Sequence, residues 1–157
     1  MAVIGSGTCE PGSEPARMAA EVGRRLAQAG VVLICGGRGG VMEAAARGAA
    51  EAGGIVIGIV PSDSVGDANP HCTHVVATGI GHARNLAVVA SGEVVVAIGG
   101  EWGTLSEIGF ARRLGREVIA LHSWQARGAG TMAEAPGVTA VDSAAEAADA
   151  ALACLSR

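Results

Sequence analysis

Short, uninterrupted apolar runs alternate along the chain with longer amphipathic stretches. The runs are AVIG (2–5), VVLI (31–34), IVIGIV (55–60), THVVA (73–77), EVVVAI (93–98), EVIAL (117–121) and VTAV (138–141). Each is too short for a helix and lacks the polar alternation of a half-exposed strand, so the runs read as strands buried on both faces. Between most of them, helix-like segments at about 14–29, 40–53, 81–91, 103–115 and 143–155 connect one strand to the next. Buried strands joined by helices predict an α/β fold: a mainly parallel sheet of about six to seven strands with helices on both faces. No repeat or linker interrupts the pattern, and residues 1–157 read as one domain. The one stretch that reads as a long loop is PSDSVGDANPHC (61–72), rich in turn formers.

Composition sharpens this picture. Half of the residues are hydrophobic, yet the chain has one Phe, two Trp and no Tyr. Small aliphatic side chains must therefore fill the interior, which suits helices packed tightly on a sheet. Eleven basic residues against fifteen acidic ones give a net charge of -4. With no basic cluster or aromatic platform, nucleic acid is not an expected partner. All the basic residues are Arg, and without a lysine amine there is no Schiff base to pyridoxal phosphate or to a carbonyl substrate. Cys9, Cys35, Cys72 and Cys154 show no paired spacing, and no leader or apolar run of about 18 residues is present. A soluble cytoplasmic protein without membrane contact is expected. The fragment HCTH (71–74) lacks a distant fourth ligand, so no metal site and no bound cofactor are expected.

Ligands of parallel α/β sheets gather at the carboxyl ends of the strands, and three glycine turns fall there. The first, GSGTCE (5–10), places Gly5 and Ser6 after the first strand. It lacks the third glycine of a dinucleotide fingerprint, and no acid ends the second strand to hold a ribose hydroxyl. The second, GGRGG (36–40), contributes Gly36, Gly37, Arg38 and Gly39 and opens a helix. The third, GGEWGT (99–104), contributes Gly100, Glu101, Gly103 and Thr104. Glycines let a ligand approach the backbone, and a helix start offers free N–H groups to an anion, so these turns read as a phosphate cradle. Glu101 is an unusual presence there, because its charge opposes a phosphate.

Plainer readings exist for each candidate. Glycine turns serve as tight connections, Arg38 fits a solvated loop as well as an anion contact, and Glu43 suits a helix start through the dipole. Thr104 to Glu107 has the form of a capping box, in which Glu107 reaches back to a backbone N–H. Arg84 stands near the start of an otherwise apolar helix, where a lone charge needs water, an anion or Glu107 as a partner.

With these residues in view, the chain resembles the Lonely Guy (LOG) family, whose members have carried the label "possible lysine decarboxylase". ICGGRGGVMEAAARGAAEAGGIVIGIVP (34–61) looks like the family's GGxxGLMGxVAxxAxxxGGxVIGVIP, and GGEWGTLSE (99–107) looks like its PGGxGTxxE. The resemblance implies a Rossmann-like three-layer sandwich, a two-fold homodimer or a multiple of it, and cleavage of a nucleoside 5′-monophosphate to base and ribose 5-phosphate. It further implies that Arg84 and Glu107 are catalytic, and that Gly100, Gly103 and Thr104 hold the phosphate. A carboxylate such as Glu107 would stabilise the positive charge that develops on the ribose. The decarboxylase label does not fit a chain without lysine. Three departures separate it from the active pattern: Gly99 for Pro, Glu101 for Gly, and Asn85 for the Lys that usually follows the Arg. They bring it close to a short LOG-like branch that includes molybdenum cofactor carriers, which hold a pterin monophosphate without hydrolysing it. Sequence therefore leaves two functions, a phosphoribohydrolase as the first reading and a carrier of a phosphorylated ligand as the alternative.

Overall fold

The computed structural model describes residues 1–125 and 135–155. All seven apolar runs are strands: β1 (Ala2–Gly5), β2 (Leu33–Cys35), β3 (Val56–Val60), β4 (His74–Ala77), β5 (Val94–Ile98), β6 (Glu117–Leu121) and β7 (Val138–Val141). The helices are α1 (Glu14–Gln28), α2 (Val41–Glu51), α3 (Arg84–Ser91), α4 (Trp102–Arg113) and α5 (Ala144–Leu155). Among the strands only β2 shifts by more than a residue, starting two positions later than its apolar run. The Val31 amide is occupied in closing α1, where it donates to the Leu26 carbonyl at 3.0 Å. Helix α3 starts three residues later than expected, after a 3-10 turn at Gly81–Ala83, and α2 and α4 each end two residues earlier.

The strands form one sheet in the order β4-β3-β2-β1-β5-β6-β7, and every neighbouring pair is parallel. The chain steps outward from β1 to β4, then returns to the other side of β1 and steps outward again. The switch point therefore lies between β1 and β5, whose carboxyl ends splay their following loops to opposite faces and open a crevice.

Two apolar layers flank the sheet. Helices α1, α2 and α5 cover one face through Val22, Leu26, Ala45, Ala49 and Ala148, while α3 and α4 cover the other through Val88, Val89, Ile108 and Ala111. Scarce aromatics find their reason in the α1–α2 contact. A Cβ placed on Gly23 would stand 2.1 Å from the Ala45 carbonyl oxygen, and one on Gly48 would stand 1.9 Å from that of Ala20. Backbones this close leave room for hydrogen and methyl groups only. Helix-disfavouring glycines are thus retained because they allow the close approach.

Candidate functional site at the switch point

Gly5 and Ser6 leave β1 on one side of the crevice, and the glycine turn after β5 leads into α4 on the other. The residue facing that helix start is Glu101, the N-cap, whose side chain makes no bond to its own helix. Its carboxylate instead accepts from the Ser6 hydroxyl at 2.9 Å and from the Thr8 hydroxyl at 2.8 Å. These two bonds hold the exposed carboxylate below the usual range. They also latch the loop after β1 to the start of α4 across the switch point. The amides of the first turn of α4 remain without helical partners; Leu105 is the first to bond back, to the Glu101 carbonyl at 3.1 Å.

The turn is held from behind by the loop after β6. Ser123 donates its hydroxyl to the Gly99 carbonyl at 2.5 Å, and the Trp124 indole donates to the Glu101 carbonyl at 3.1 Å. Gly99 and Gly100 have φ of 54° and 116°, a backbone path that favours glycine. A Cβ on Gly100 would stand 2.5 Å from that of Thr104, so this glycine backs the buried threonine rather than lining the cleft.

Arg84 and Glu107 meet below this mouth. Both are buried, at 8% and 6% exposure, and both line one cleft of about 160 Å³ with Gly5, Ser6, Gly36, Glu101, Gly103 and Thr104. The Arg84 guanidinium donates through Nη1 to the Asn85 side-chain oxygen at 2.9 Å, while its buried Nε has no partner among the described residues. Burial lowers the Arg84 pKa, Glu107 and Cys35 oppose that shift, and the neighbouring charge of Arg38 adds to it. Burial likewise pushes the Glu107 carboxyl up to about 7, with Arg84 pulling against it. The pair interact through the cleft without forming one of the close ion pairs seen elsewhere in the molecule. Room for the guanidinium is made by Gly36, where a Cβ would stand 2.5 Å from Arg84 Nη1 and 2.6 Å from Met42 Sδ.

An adjoining hollow of about 330 Å³ extends the cleft past Arg84 and Asn85 to Arg38, Gly39 and Pro61. Two guanidinium groups thus face one groove beside a helix N-terminus. That arrangement attracts an anion with planar or tetrahedral oxygens. Gly37 lies outside both spaces, packed at φ 68° against Val60 and Gly58, and acts by shaping the turn.

The capping-box reading of Glu107 is overturned by the helix boundary. Since α4 begins at Trp102, Thr104 is its third residue rather than its N-cap, and Glu107 is its sixth, more than a turn from the N-cap Glu101. The side chain is buried toward Arg84 instead. Gly7, Thr8, Met42, His82 and Pro61 also line the groove. Gly7 and Thr8 fall within the first glycine turn and Met42 and Pro61 within the 34–61 motif, the signal that could have marked them, whereas His82 carries none of its own. In the HCTH fragment, Thr73 bonds to the Val56 backbone and to His74 Nδ1, while the Cys72 sulfur turns inward over Gly58. Among the described residues no three His, Cys, Asp or Glu side chains are grouped to hold a metal ion.

Residues 1–149 match the profile of the SLOG cluster4 family. The chain belongs to that family. A protein of Archaeoglobus fulgidus, described as uncharacterized, is 44% identical over 119 residues, covering 76% of this chain and 77% of its own. Among solved structures, the molybdenum cofactor binding protein of Rippkaea orientalis superimposes with a TM-score of 0.85 at 29% identity, covering 98% of this chain and 95% of that one. The molybdenum cofactor carrier protein of Chlamydomonas reinhardtii gives 0.82 at 28%, covering 99% and 97%. The SLOG cluster4 chain is therefore a short LOG-like protein of the branch that includes carrier-like members, with the Rossmann-like sandwich that its motifs implied. Among the described residues no helix is long and apolar enough to cross a membrane.

Proposed function

We propose that the protein binds the phosphate end of a small phosphorylated ligand in the switch-point cleft and carries it intact, the ligand being a pterin phosphate such as molybdenum cofactor. The observation that carries this reading is the Arg84 guanidinium, which lines the cleft with a buried Nε that none of the described residues satisfies. A buried donor of this kind costs free energy until an acceptor arrives, and a phosphate oxygen is the acceptor that suits it. Arg38 and the free amides of Gly103 and Thr104 complete a cradle in which the phosphate would lie against the start of α4. Similarity over the full length to two molybdenum cofactor proteins supports holding rather than cleavage. Burial pushes the Glu107 carboxyl up to about 7, so at neutral pH only part of the population offers a carboxylate to a developing ribosyl cation.

A second reading rests on that same residue. A buried carboxyl titrating near neutrality beside an arginine is placed to act as a general acid–base, so a phosphoribohydrolase remains the competing function. Under either reading the protein acts on a soluble ligand, with no nucleic acid or membrane partner, in the cytoplasm. It assembles as a two-fold homodimer or a multiple of one.

One pair of measurements separates the two functions. Nucleoside 5′-monophosphates and ribose 5-phosphate should raise the melting temperature, because a ligand that binds only the folded state stabilises it. No free base should appear when those monophosphates are incubated with the protein. Base release that disappears in Glu107→Gln would replace the carrier by the hydrolase. No thermal shift with any phosphorylated ligand, molybdenum cofactor included, would remove both.

A further inference from the structure

Two cysteines far apart in sequence come together beneath the glycine turn. Cys35 ends β2, and its partner in the neighbouring strand is Gly58 of β3. Strands lie roughly 4.8 Å apart and paired residues place their side chains on the same face. At Gly58 that side-chain space is filled by another residue: a Cβ there would stand 2.5 Å from Cys72 Sγ and 3.3 Å from Cys72 Cβ. The Cys72 sulfur therefore occupies the position next to Cys35, and the Cys35 thiol donates a hydrogen bond to it. Cys72 is the last residue of the 61–72 loop, which is already hooked to the turn. Asn69 donates its backbone amide to the Gly37 carbonyl at 2.8 Å and its side-chain amide to the Arg38 carbonyl at 3.0 Å.

We propose that Cys35 and Cys72 are a dithiol that closes to an intramolecular disulfide by exchange with a small-molecule disulfide of the glutathione type, pinning the 61–72 loop to the glycine turn. The two sulfurs differ in a way that orders the steps. Cys72 is half-buried, and its bonds from Cys35 and Asn69 favour the thiolate. Cys35 is fully buried and held as the thiol by its bond to Cys72 and by burial. Cys72 thiolate attacks one sulfur of the external disulfide, forming a mixed disulfide and releasing one thiolate. Cys35 then loses its proton and attacks the Cys72 sulfur, releasing the second small thiol. Two protein thiols are oxidised and one external disulfide is reduced to two thiols. The product ties the loop to the end of β2, one residue before Gly36, the glycine against which Arg84 rests. The inference is independent of which ligand the cleft takes.

The chain is convenient for testing this. Having no lysine, it is cut by trypsin at arginines alone, which puts Cys9, Cys35, Cys72 and Cys154 in four separate peptides. The full-length protein is equilibrated with reduced and oxidised glutathione at a series of ratios, the remaining thiols are alkylated, and the peptides are identified by mass. The expected result is loss of two of the four thiols in a monomolecular product, with residues 26–38 linked to residues 48–84. Cys35→Ser should accumulate glutathione on Cys72, while Cys72→Ser should leave Cys35 unmodified. Four alkylated thiols at every ratio, or a linkage that joins any other pair, would overturn the proposal. So would glutathione on Cys35 in the Cys72→Ser protein. If a serine variant fails to fold, the mapping of the wild-type protein decides alone.

Discussion

Glu107 is a buried carboxyl, and its burial makes stability depend on pH. Its carboxyl is raised from about 4.5 to about 7 by burial. The folded state therefore holds a proton that the unfolded state has released across that window, so stability falls as pH rises from about 4.5 to 7 and stays low above it. Each pKa unit corresponds to about 1.4 kcal/mol, less what Arg84 returns when the pair is ionised. Glu107→Gln keeps the shape without the charge, and should be more stable than wild type by about 1–3 kcal/mol at pH 8 but not at pH 4. Chemical denaturation at the two pH values checks this; equal differences at both would refute it. At Arg84 the effect is on binding. Arg84→Gln removes a charged donor and should weaken adenosine monophosphate or ribose 5-phosphate about 10- to 100-fold by calorimetry. Both residues were legible in the sequence as an arginine in an apolar helix and a glutamate after a glycine turn. Glu107 was one of three partners the sequence left open for Arg84, and only the fold brings the two into one cleft, because 23 positions separate them and their helices start from different strands.

At the scale of elements, the start of α4 depends on a latch formed by side chains from the other half of the crevice. Glu101 reaches Ser6 and Thr8, and its charge stands at the mouth of the cradle. Replacing it by the glycine of the related motif should tighten phosphate binding and steepen its salt dependence, since an opposing charge leaves the mouth and the net attraction of the site for an anion grows. Unchanged binding in Glu101→Gly would show that the latch has no electrostatic role. The sequence raised Glu101 as an anomaly without resolving it, because its partners lie more than 90 residues away. The α1–α2 contact sets a second test. Alanine is the better helix former by about 1 kcal/mol, yet Gly48→Ala should lower stability by about 1–3 kcal/mol because the methyl group meets the Ala20 carbonyl. A raised melting temperature would mean the helices separate without cost.

Across the whole molecule, the face covered by α3 and α4 is the one left unfinished. Leu86, Phe110 and Leu114 are 43%, 38% and 44% exposed on those two helices, with Val76 and Ile80 exposed beside them. Helices apolar on more than one side are buried on both. The proposed two-fold dimer would cover this surface with a second copy. Light scattering at micromolar concentration should give twice the chain mass or a multiple, and Leu86→Asp with Phe110→Asp should give a monomer. A wild-type monomer would overturn the assembly.

The sequence by itself determined six to seven strands, the five helices and a mainly parallel sheet, and the structure fixed the strands at seven, every neighbouring pair parallel. Unbroken runs such as VVVAI are stable when buried on both faces, a condition the central runs state locally, whereas β4 and β7, expected to be buried in the same way, lie half-exposed because they are the edge strands of the sheet. It also marked Arg84, Glu107 and the glycine turns as unusual, since charge in apolar surroundings and glycine at strand ends are visible without partners. Tertiary structure decided what those residues face. The return of the chain to the far side of β1 brings Ser6 to Glu101 and Arg84 to Glu107. The register of β2 on β3 brings Cys72 to Cys35. The first turn of α4 decided against the capping box, because where a helix starts depends on the turn held behind it by Ser123 and Trp124. Contacts of this kind arise from strand order and register, which are global choices of packing, and no short window of sequence contains them.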